Sequence, residues 1–209
     1  MSTIADNIGL VSQRIRAAAD AVQRDASSIH LLAVSKTKPA QAVREAYAAG
    51  LRDFGENYLQ EALGKQADLT DLPLSWHFIG PIQSNKTRAI AENFAWVHSV
   101  DRLKIAQRLS EQRPADLPPL NICIQVNVSG EASKSGCTPA DLPALATAIS
   151  ALPRLKLRGL MAIPEPTEDR AEQDAAFATV RDLQASLNLA LDTLSMGMSH
   201  DLESAIAQG

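Results

Sequence analysis

A lysine stands at the point where a buried strand should end and a helix should begin. Lys36 follows an apolar run at residues 31–34, and the later Pro39 suits the first position of a helix. Strand alternation places Lys36 on the same face as Leu32 and Val34, so its amine should follow an apolar face to the carboxyl end of the strand. A partly desolvated amine there is more often neutral and nucleophilic, which suits attack on a carbonyl group. A lysine after a strand is otherwise most often a solvated loop residue.

Later strand-like segments are also followed by polar or glycine-containing stretches. Residues 55–57 follow the second segment, residues 80–86 follow the third, and later loops comprise residues 127–134, 161–164 and 196–200. The carboxyl ends of parallel strands lie at the same edge of a sheet, so these loops should surround one opening. The sequence therefore predicts a single site at that edge.

The elements that must position these loops alternate along the chain. Apolar residues at three- and four-residue spacing predict an amphipathic helix over residues 4–23. Seven strand candidates follow, each with a helix after it, which favours a parallel sheet and a (β/α) barrel of the TIM type. The strand candidates are residues 31–35, 53–54, 76–79, 96–99, 121–127, 156–161 and 193–195.

Local signals and length support the same organisation. Asp101 is placed to cap one helix, and residues 138–141 combine a threonine N-cap, a first-position proline and a capping-box acid. A chain of 209 residues, 45% of them hydrophobic, can bury one large core. We therefore predict a single domain over residues 1–209, with an N-terminal helix within residues 1–24 and the barrel over residues 31–209.

Composition excludes several classes of function. The net charge of -4 argues against a broad nucleic-acid surface, which needs clustered lysine and arginine. The first residues lack the basic start and apolar core of a signal peptide, and no apolar run approaches membrane-spanning length. Cys123 and Cys137 lack the spacing of a disulfide framework or metal motif. We predict a cytoplasmic protein with no membrane or nucleic-acid partner and no metal and, since no apolar surface stripe stands out, a monomer.

Six blocks of the sequence, in order, resemble one known family. They are residues 34–39 (Val-Ser-Lys-Thr-Lys-Pro), 54–57 (Phe-Gly-Glu-Asn), 76–86, 133–136 (Ser-Lys-Ser-Gly), 158–164 and 194–199 (Leu-Ser-Met-Gly-Met-Ser). Over almost its whole length the chain is similar to the pyridoxal phosphate homeostasis protein family, also called the YggS/PROSC family. The resemblance implies a barrel related to the N-terminal domain of alanine racemase. It also implies that the cofactor pyridoxal 5′-phosphate is held as a Schiff base on Lys36.

Four further residues are candidates for the cofactor site, Asn57 and Met161 through the resemblance and His77 and Ser84 through their place in the predicted elements, and each has a plainer alternative. Asn57 contacts the cofactor near its ring, or it caps the helix that follows. His77 packs against the ring, or it is a buried, hydrogen-bonded core histidine. Met161 lies at the cofactor face or belongs to the core. Ser84 opens a helix, where it binds an anion or serves as a cap.

A second group of candidates concerns the phosphate group. Gly197, Met198 and Ser199 precede a helix, and a glycine, exposed amides and a hydroxyl at a helix start suit a phosphate. Ser199 is the preferred phosphate ligand, and as an alternative it is the N-cap of the final helix. Lys38 and Lys134 attract the phosphate or receive the aldehyde from the cofactor lysine, unless they are ordinary solvated charges.

Near its C-terminus the sequence departs from the family. Residues 201–209 stop where relatives continue into a segment with an arginine, a glycine and a threonine, followed by a closing strand. We therefore expect the eighth strand to be missing, which leaves two unpaired sheet edges and fewer donors around the phosphate. Weaker cofactor binding and lower stability than in a full-length relative are the expected consequences.

Two main functional classes remain. The first is a carrier that binds pyridoxal phosphate reversibly in vitamin B6 homeostasis and hands it to apo forms of pyridoxal-phosphate enzymes, without turnover of its own. The alternative is a fold-type III enzyme such as an amino-acid racemase, which needs a second acid or base on the opposite cofactor face. Alanine racemase supplies that group as a tyrosine from a further domain, whereas Tyr47 and Tyr58 here lie in the first βα helix and at the start of the next. The carrier is favoured, and a third class is a folded protein that has lost the cofactor.

Overall fold

Seven parallel strands form one sheet in the computed structural model, which describes residues 2–129 and 135–209. Strand order follows chain order, and every neighbouring pair is parallel. The predicted alternation of strands and helices, with seven strands, is therefore confirmed. The strands are β1 (Ala33–Val34), β2 (Asp53–Glu56), β3 (Ser75–Phe78), β4 (Trp96–Val100), β5 (Leu120–Gln125), β6 (Leu155–Met161) and β7 (Thr193–Ser195).

Helices follow the strands and precede the first one. Two short 3-10 turns, Ala26–Ser28 and Ser84–Lys86, complete the regular structure of the described residues. The helices are α1 (Ile4–Ala21), α2 (Ala40–Ala48), α3 (Leu59–Asp68), α4 (Thr87–Asn93), α5 (Leu103–Gln112), α6 (Leu142–Ser150), α7 (Arg170–Ser186) and α8 (Leu202–Gln208). No helix of this described part is long and apolar enough to cross a membrane.

The hydrophobic core lies between the sheet and the helices. Alternate residues of a strand point to opposite faces, so the apolar residues of one face can pack on the helices while the other face differs in character. Core residues with no more than 1% exposure include Phe54, Val97, Ile122 and Leu160 on strands and Ile90, Ile105 and Leu109 on helices. The opposite, inner face of the sheet carries polar side chains that include His77, His98 and Ser195.

A hydrogen bond across the inner face shows that the sheet is curved. His98 Nδ1 of β4 lies 2.6 Å from Ser195 Oγ of β7, although β5 and β6 separate these strands in the sheet. In a flat sheet, strands 4.7–4.9 Å apart would keep these side chains roughly 14 Å from each other. The sheet therefore curls like a TIM-type barrel, with β1 and β7 as its end strands.

Helix α1 connects the first and last units of the fold. It packs against α2 and against α8. Arg14 of α1 forms an ion pair with Glu203 of α8 at 2.8 Å, and Arg24 donates a hydrogen bond to the Ile206 carbonyl. The capping box of α1 uses Thr3 and Asp6. The predicted N-terminal helix thus joins the two ends of the sheet from outside.

Three local predictions need correction. Val34 is 49% exposed, so the face that leads to Lys36 is not a buried apolar face, because an end strand has a neighbour on one side only. Asp101 does not cap α5, since Arg102 occupies the N-cap position and its guanidinium pairs with the Asp101 carboxylate. The Thr138 hydroxyl accepts from the Asp141 amide as predicted, but α6 begins only at residue 142.

Candidate functional site

The turn that carries Lys36 lies at the carboxyl end of β1. Ser35 continues the ladder by donating its amide to the Gly55 carbonyl, and Lys38 N–H closes the turn on the Ser35 carbonyl at 3.0 Å. Thr37 has a φ of 63°, a left-handed conformation that is rare for a β-branched residue. Lys36 itself is exposed, which leaves its amine accessible. The structure thus places Lys36 at the predicted edge of the sheet.

A buried ionic cluster lies beneath this turn. The Lys65 ammonium contacts Glu56 Oε1 at 2.6 Å, Glu61 Oε1 at 2.6 Å and the Ser35 carbonyl at 2.5 Å. Glu56 Oε1 also accepts the Ser35 hydroxyl at 2.6 Å, and Glu61 Oε1 accepts the Thr37 amide at 2.6 Å. Lys65 and Glu56 are 5% and 0% exposed. Hydrogen bonding to Lys65, with a smaller contribution from the Thr37 amide, lowers the pKa of the Glu61 carboxyl.

Asn57 follows β2 and faces the next loop. Its Oδ1 is buried and has no hydrogen-bond partner among the described residues. The predicted cap role is wrong, because Tyr58 occupies the N-cap position of α3 and no side chain caps that helix. A Cβ atom on Gly80 would lie 2.3 Å from the Asn57 carbonyl oxygen, so glycine is needed for this close approach. An unpaired buried amide oxygen is costly, and it is therefore a natural place for a ligand donor.

His77 belongs to a chain of polar side chains on the inner face. Its Nε2 lies 3.1 Å from Asp53 Oδ1, its Nδ1 lies 2.9 Å from His98 Nε2, and Trp96 stacks on its ring at 5.4 Å. Burial, followed by the charge of His77, lowers the pKa of His98 to about 3. The hydrogen bond from His77 lowers the pKa of the Asp53 carboxyl.

Asp53 accepts at one end of this chain, because an ionised carboxylate has no proton to donate, so the Nε2–H of His77 donates to Asp53 Oδ1. His98 Nε2 and Ser195 Oγ continue the chain at hydrogen-bond distance from His77 Nδ1 and His98 Nδ1. The surroundings of His77 match the plainer alternative of a hydrogen-bonded core histidine, and contact with a ligand ring stays a prediction.

Met161 and Ser84 take part in the structure near the same edge. Met161 ends β6, is 5% exposed, and lies in register with Gln125 on one side and Ser195 on the other. Ser84 opens a 3-10 turn rather than the α-helix itself, and its carbonyl accepts from Arg108 Nε at 2.9 Å. Contact of either residue with a ligand stays a prediction.

The loop from residue 197 to residue 199 joins β7 to α8. Gly197 has a φ of 85°, and a Cβ there would lie 2.6 Å from Ala205 Cβ. The Met198 amide is not free, because it donates to Asp201 Oδ1 at 2.5 Å. Ser199 is exposed, and its carbonyl accepts from Arg14 at 2.9 Å. The predicted N-cap role of Ser199 is wrong, since Asp201 occupies that position.

The two remaining lysine candidates differ in status. Lys38 is exposed next to the Lys36 turn. Lys134 lies outside the described residues. The sequence reasoning missed Ser35, Glu61 and Lys65, although the i,i+4 spacing of the last two predicts an ion pair on one helix face. Spacing does not indicate that Lys65 also pairs with Glu56, which places the ion pair beneath the turn.

Comparison with known proteins agrees with this geometry. Residues 11–208 match the family model described as the alanine racemase N-terminal domain. The chain is 77% identical over 209 residues to the pyridoxal phosphate homeostasis protein of Pseudomonas aeruginosa, covering 91% of that protein. It is 52% identical to the Escherichia coli K12 protein of the same name, with 100% of this chain and 92% of that protein covered.

Solved structures show the same relationship. PipY of Synechococcus elongatus with PLP bound is 44% identical, with a TM-score of 0.82 and coverage of 95% of this chain and 94% of that one. Alanine racemase from Corynebacterium glutamicum, at 17% identity and a TM-score of 0.62 over 88% of this chain and 52% of that one, shares the fold alone. The chain therefore belongs to the pyridoxal phosphate homeostasis protein family, with the fold of the alanine racemase N-terminal domain.

Proposed function

We propose that this chain binds pyridoxal 5′-phosphate reversibly in vitamin B6 homeostasis, with Lys36 as the residue of covalent attachment through a Schiff base. The observation that carries the proposal is the closed turn at residues 35–38, which presents the exposed Lys36 at the carboxyl edge of β1. The name and bound PLP of the relatives support the choice of ligand. When bound, this cofactor supplies an aldehyde that reacts with an amine, together with a phosphate group.

The residues around the turn fit such a ligand. Asn57 Oδ1 is an unsatisfied buried acceptor beside the edge, suited to a donor on the ligand. Gly197 adopts a φ of 85°, and the exposed Ser199 close to it offers a hydroxyl for the phosphate. Lys38 adds a positive charge close to the turn. The Met198 amide is excluded from this role as long as it donates to Asp201.

The placement of the tyrosines supports a carrier over a racemase. Tyr47 lies in α2, with the Arg52 guanidinium 3.8 Å above its ring centroid. Tyr58 is 56% exposed at the N-cap position of α3. Neither of the two tyrosines projects from a strand of the inner face, where an acid or base opposite Lys36 would be needed. We therefore propose binding without substrate turnover.

The cellular setting forms part of the proposal. We place the protein in the cytoplasm, because Cys123 and Cys137 are free thiols, which a reducing compartment maintains. We further propose a monomer that passes its cofactor to apo forms of pyridoxal-phosphate enzymes. Size-exclusion chromatography with light scattering tests the first statement, and transfer to a purified apoenzyme tests the second.

Reduction of the loaded protein tests the attachment residue. The protein is incubated with pyridoxal phosphate, reduced with borohydride, digested and analysed by mass spectrometry. We expect the modified peptide to contain Lys36 and the visible absorption band to disappear in Lys36→Ala. Lys104→Ala, at an exposed lysine on α5, is the matched control and should keep the band. A band that survives in Lys36→Ala contradicts the assignment.

The same preparations separate the carrier from the enzyme. Loaded wild-type protein is incubated with a panel of L-amino acids, and racemisation and transamination are followed by chiral chromatography. We expect rates equal to those of free pyridoxal phosphate. A turnover above that background that disappears in Lys36→Ala would establish a fold-type III enzyme instead.

A further inference from the structure

The proposed function does not account for the buried ammonium of Lys65. Moving a lysine from water into a protein interior costs several kcal/mol of free energy unless the charge is fully paired, as a general rule. Here three oxygens surround it, from Glu56, Glu61 and the Ser35 backbone, all within 2.6 Å. One carboxylate oxygen, Glu56 Oε2, is buried without a partner among the described residues. Stability alone gives little reason for such a cluster, because an apolar contact of the same size is often at least as stabilising.

The contacts of the cluster converge on the two neighbours of Lys36. Ser35 is held twice, by its hydroxyl on Glu56 and by its carbonyl on Lys65. Thr37 is held by its amide on Glu61. Lys36 lies between these fixed residues, and its own side chain remains exposed. The cluster therefore holds the backbone on both sides of the amine without touching the amine.

The conformation of Thr37 shows why such support is needed. Its φ of 63° is costly for a β-branched residue and persists only where the surroundings enforce it. Glu61 supplies that enforcement, because its carboxylate accepts the Thr37 amide in this left-handed state. Lys65 in turn fixes the Glu61 carboxylate from the same helix. Without the cluster, Thr37 would relax toward negative φ, and the turn would open.

We propose that Lys65, together with Glu56 and Glu61, is a positioning device that holds the strained turn at residues 35–38 and so presents Lys36 to the aldehyde of the ligand. This inference rests on the proposed function and deepens it. Lys65 is a positioning residue, since it acts through Ser35, Glu61 and Thr37. A merely structural pair between β2 and α3 would stabilise the fold and leave the rate of loading at Lys36 unchanged.

A change at Glu61 can test the positioning of Lys36 separately from the stability of the fold. Its side chain is 32% exposed on α3, so Glu61→Ala should fold, whereas changes at Lys65 act on the core. Glu61→Gln keeps an oxygen for the Thr37 amide and serves as the conservative rescue variant. Glu45→Ala, at an exposed glutamate of α2, is the matched control. Each ligand-free protein is assayed for amide exchange at Thr37 by NMR and for the rate of pyridoxal phosphate loading by stopped-flow absorbance.

We expect Glu61→Ala to speed exchange at Thr37 by about tenfold, because a charge-assisted hydrogen bond is lost. Loading at Lys36 should slow by roughly five- to tenfold, with the midpoint of thermal unfolding nearly unchanged. Glu61→Gln should restore much of both rates, and Glu45→Ala should change neither.

The inference and the proposed function fail in different ways. Faster exchange at Thr37 with an unchanged loading rate would show a structural cluster and overturn the positioning role. Unchanged exchange would overturn it as well. If the wild-type protein forms no adduct at Lys36, the proposed function is wrong, and the exchange data alone decide whether the cluster holds the turn.

Discussion

Two polar clusters in this barrel hold neighbouring elements in place, one by ion pairs and the other by hydrogen bonds. The cluster of Lys65, Glu56 and Glu61 is ionic and lies under the turn after β1. The inner-face chain runs from Asp53 through His77 and His98 to Ser195, and burial keeps the His98 imidazole neutral by lowering its pKa to about 3. The first cluster depends on paired charges, and the second depends on hydrogen bonds through a buried, neutral imidazole.

The difference follows from what each cluster has to hold. The inner-face chain connects strands β2, β3, β4 and β7, so it fixes the curvature of a sheet through side chains that regular strands position. The ionic cluster has to hold a strained turn with no regular structure of its own, for which stronger, charge-assisted contacts are suited. From this contrast we infer that the inner-face chain stabilises the fold, whereas the ionic cluster positions the site.

The largest expected effect is the loss of the buried ammonium. Lys65→Met leaves the Glu56 carboxylate buried without its cation, and breaking a buried pair in this way costs about 3–5 kcal/mol. Urea unfolding measures the difference. Lys65→Met combined with Glu56→Leu should recover a large part of it, since the carboxylate that then lacks a partner, Glu61, is 32% exposed rather than buried. A loss below about 1 kcal/mol in the single variant would mean that water reaches Glu56 and that the ionic cluster is weaker than described.

For the inner-face chain we expect an effect of pH on the free energy of unfolding. His98 has a folded-state pKa of about 3 against an ordinary value of 6.5, so the unfolded state binds the extra proton first. Its contribution to stability is complete above pH 6.5 and is lost as the pH falls toward 3. Between pH 7 and pH 4.5 this residue should remove about 2–3 kcal/mol from the free energy of unfolding.

A variant at the same residue isolates this contribution. His98→Asn has no proton to bind in this range and keeps an amide donor and acceptor. Its urea-unfolding free energy should fall less between pH 7 and pH 4.5 than that of the wild type. Asp53, whose pKa is lowered by His77, contributes acid sensitivity only near and below its ordinary value of 3.8, so it does not mask the difference. If the free energy of unfolding depends equally on pH in both proteins, burial of His98 in the inner-face chain does not contribute to acid sensitivity.

The buried thiols of Cys123 and Cys137 differ from both clusters, because it is mainly burial that keeps them neutral. Burial raises the pKa of Cys123 to about 12 and that of Cys137 to about 11. Both should resist thiol reagents at pH 8 in the folded protein and react fully in urea. Because the unfolded thiols ionise first, stability from these residues is lost as the pH rises above 9. Rapid labelling of either thiol without denaturant would show that its surroundings open to solvent.

The sequence predicts the framework well because periodicity and strand order are local signals. The seven strand candidates and the helix before them follow from spacing. Boundaries are less exact: the first strand is predicted over residues 31–35 and contains only Ala33–Val34. An end strand has one partner, so its apolar residues do not guarantee a longer ladder.

The site could be predicted only in part, because side-chain pairing over a distance leaves no local pattern. Lys36 stands out through its position after a strand. Glu56, in contrast, looks like an ordinary loop acid, and only the fold shows that it is buried against a lysine nine residues later. The caps expected at Asn57 and Ser199 were wrong for the same reason, since tertiary contacts fix where a helix begins.

The smallest effect concerns the strain that the ionic cluster supports. Asparagine tolerates positive φ better than threonine, so Thr37→Asn should raise the free energy of unfolding by about 0.5–1 kcal/mol. Thr179→Asn, at a helical position of α7 with similar propensities for both residues, is the control and should be nearly neutral. If the cluster exists to hold this turn, Thr37→Asn should also make loading at Lys36 less sensitive to Glu61→Ala. If Thr37→Asn instead lowers the free energy of unfolding, the side chain of Thr37 matters more than its backbone strain. The proposal that the ionic cluster supports a strained turn would then be wrong.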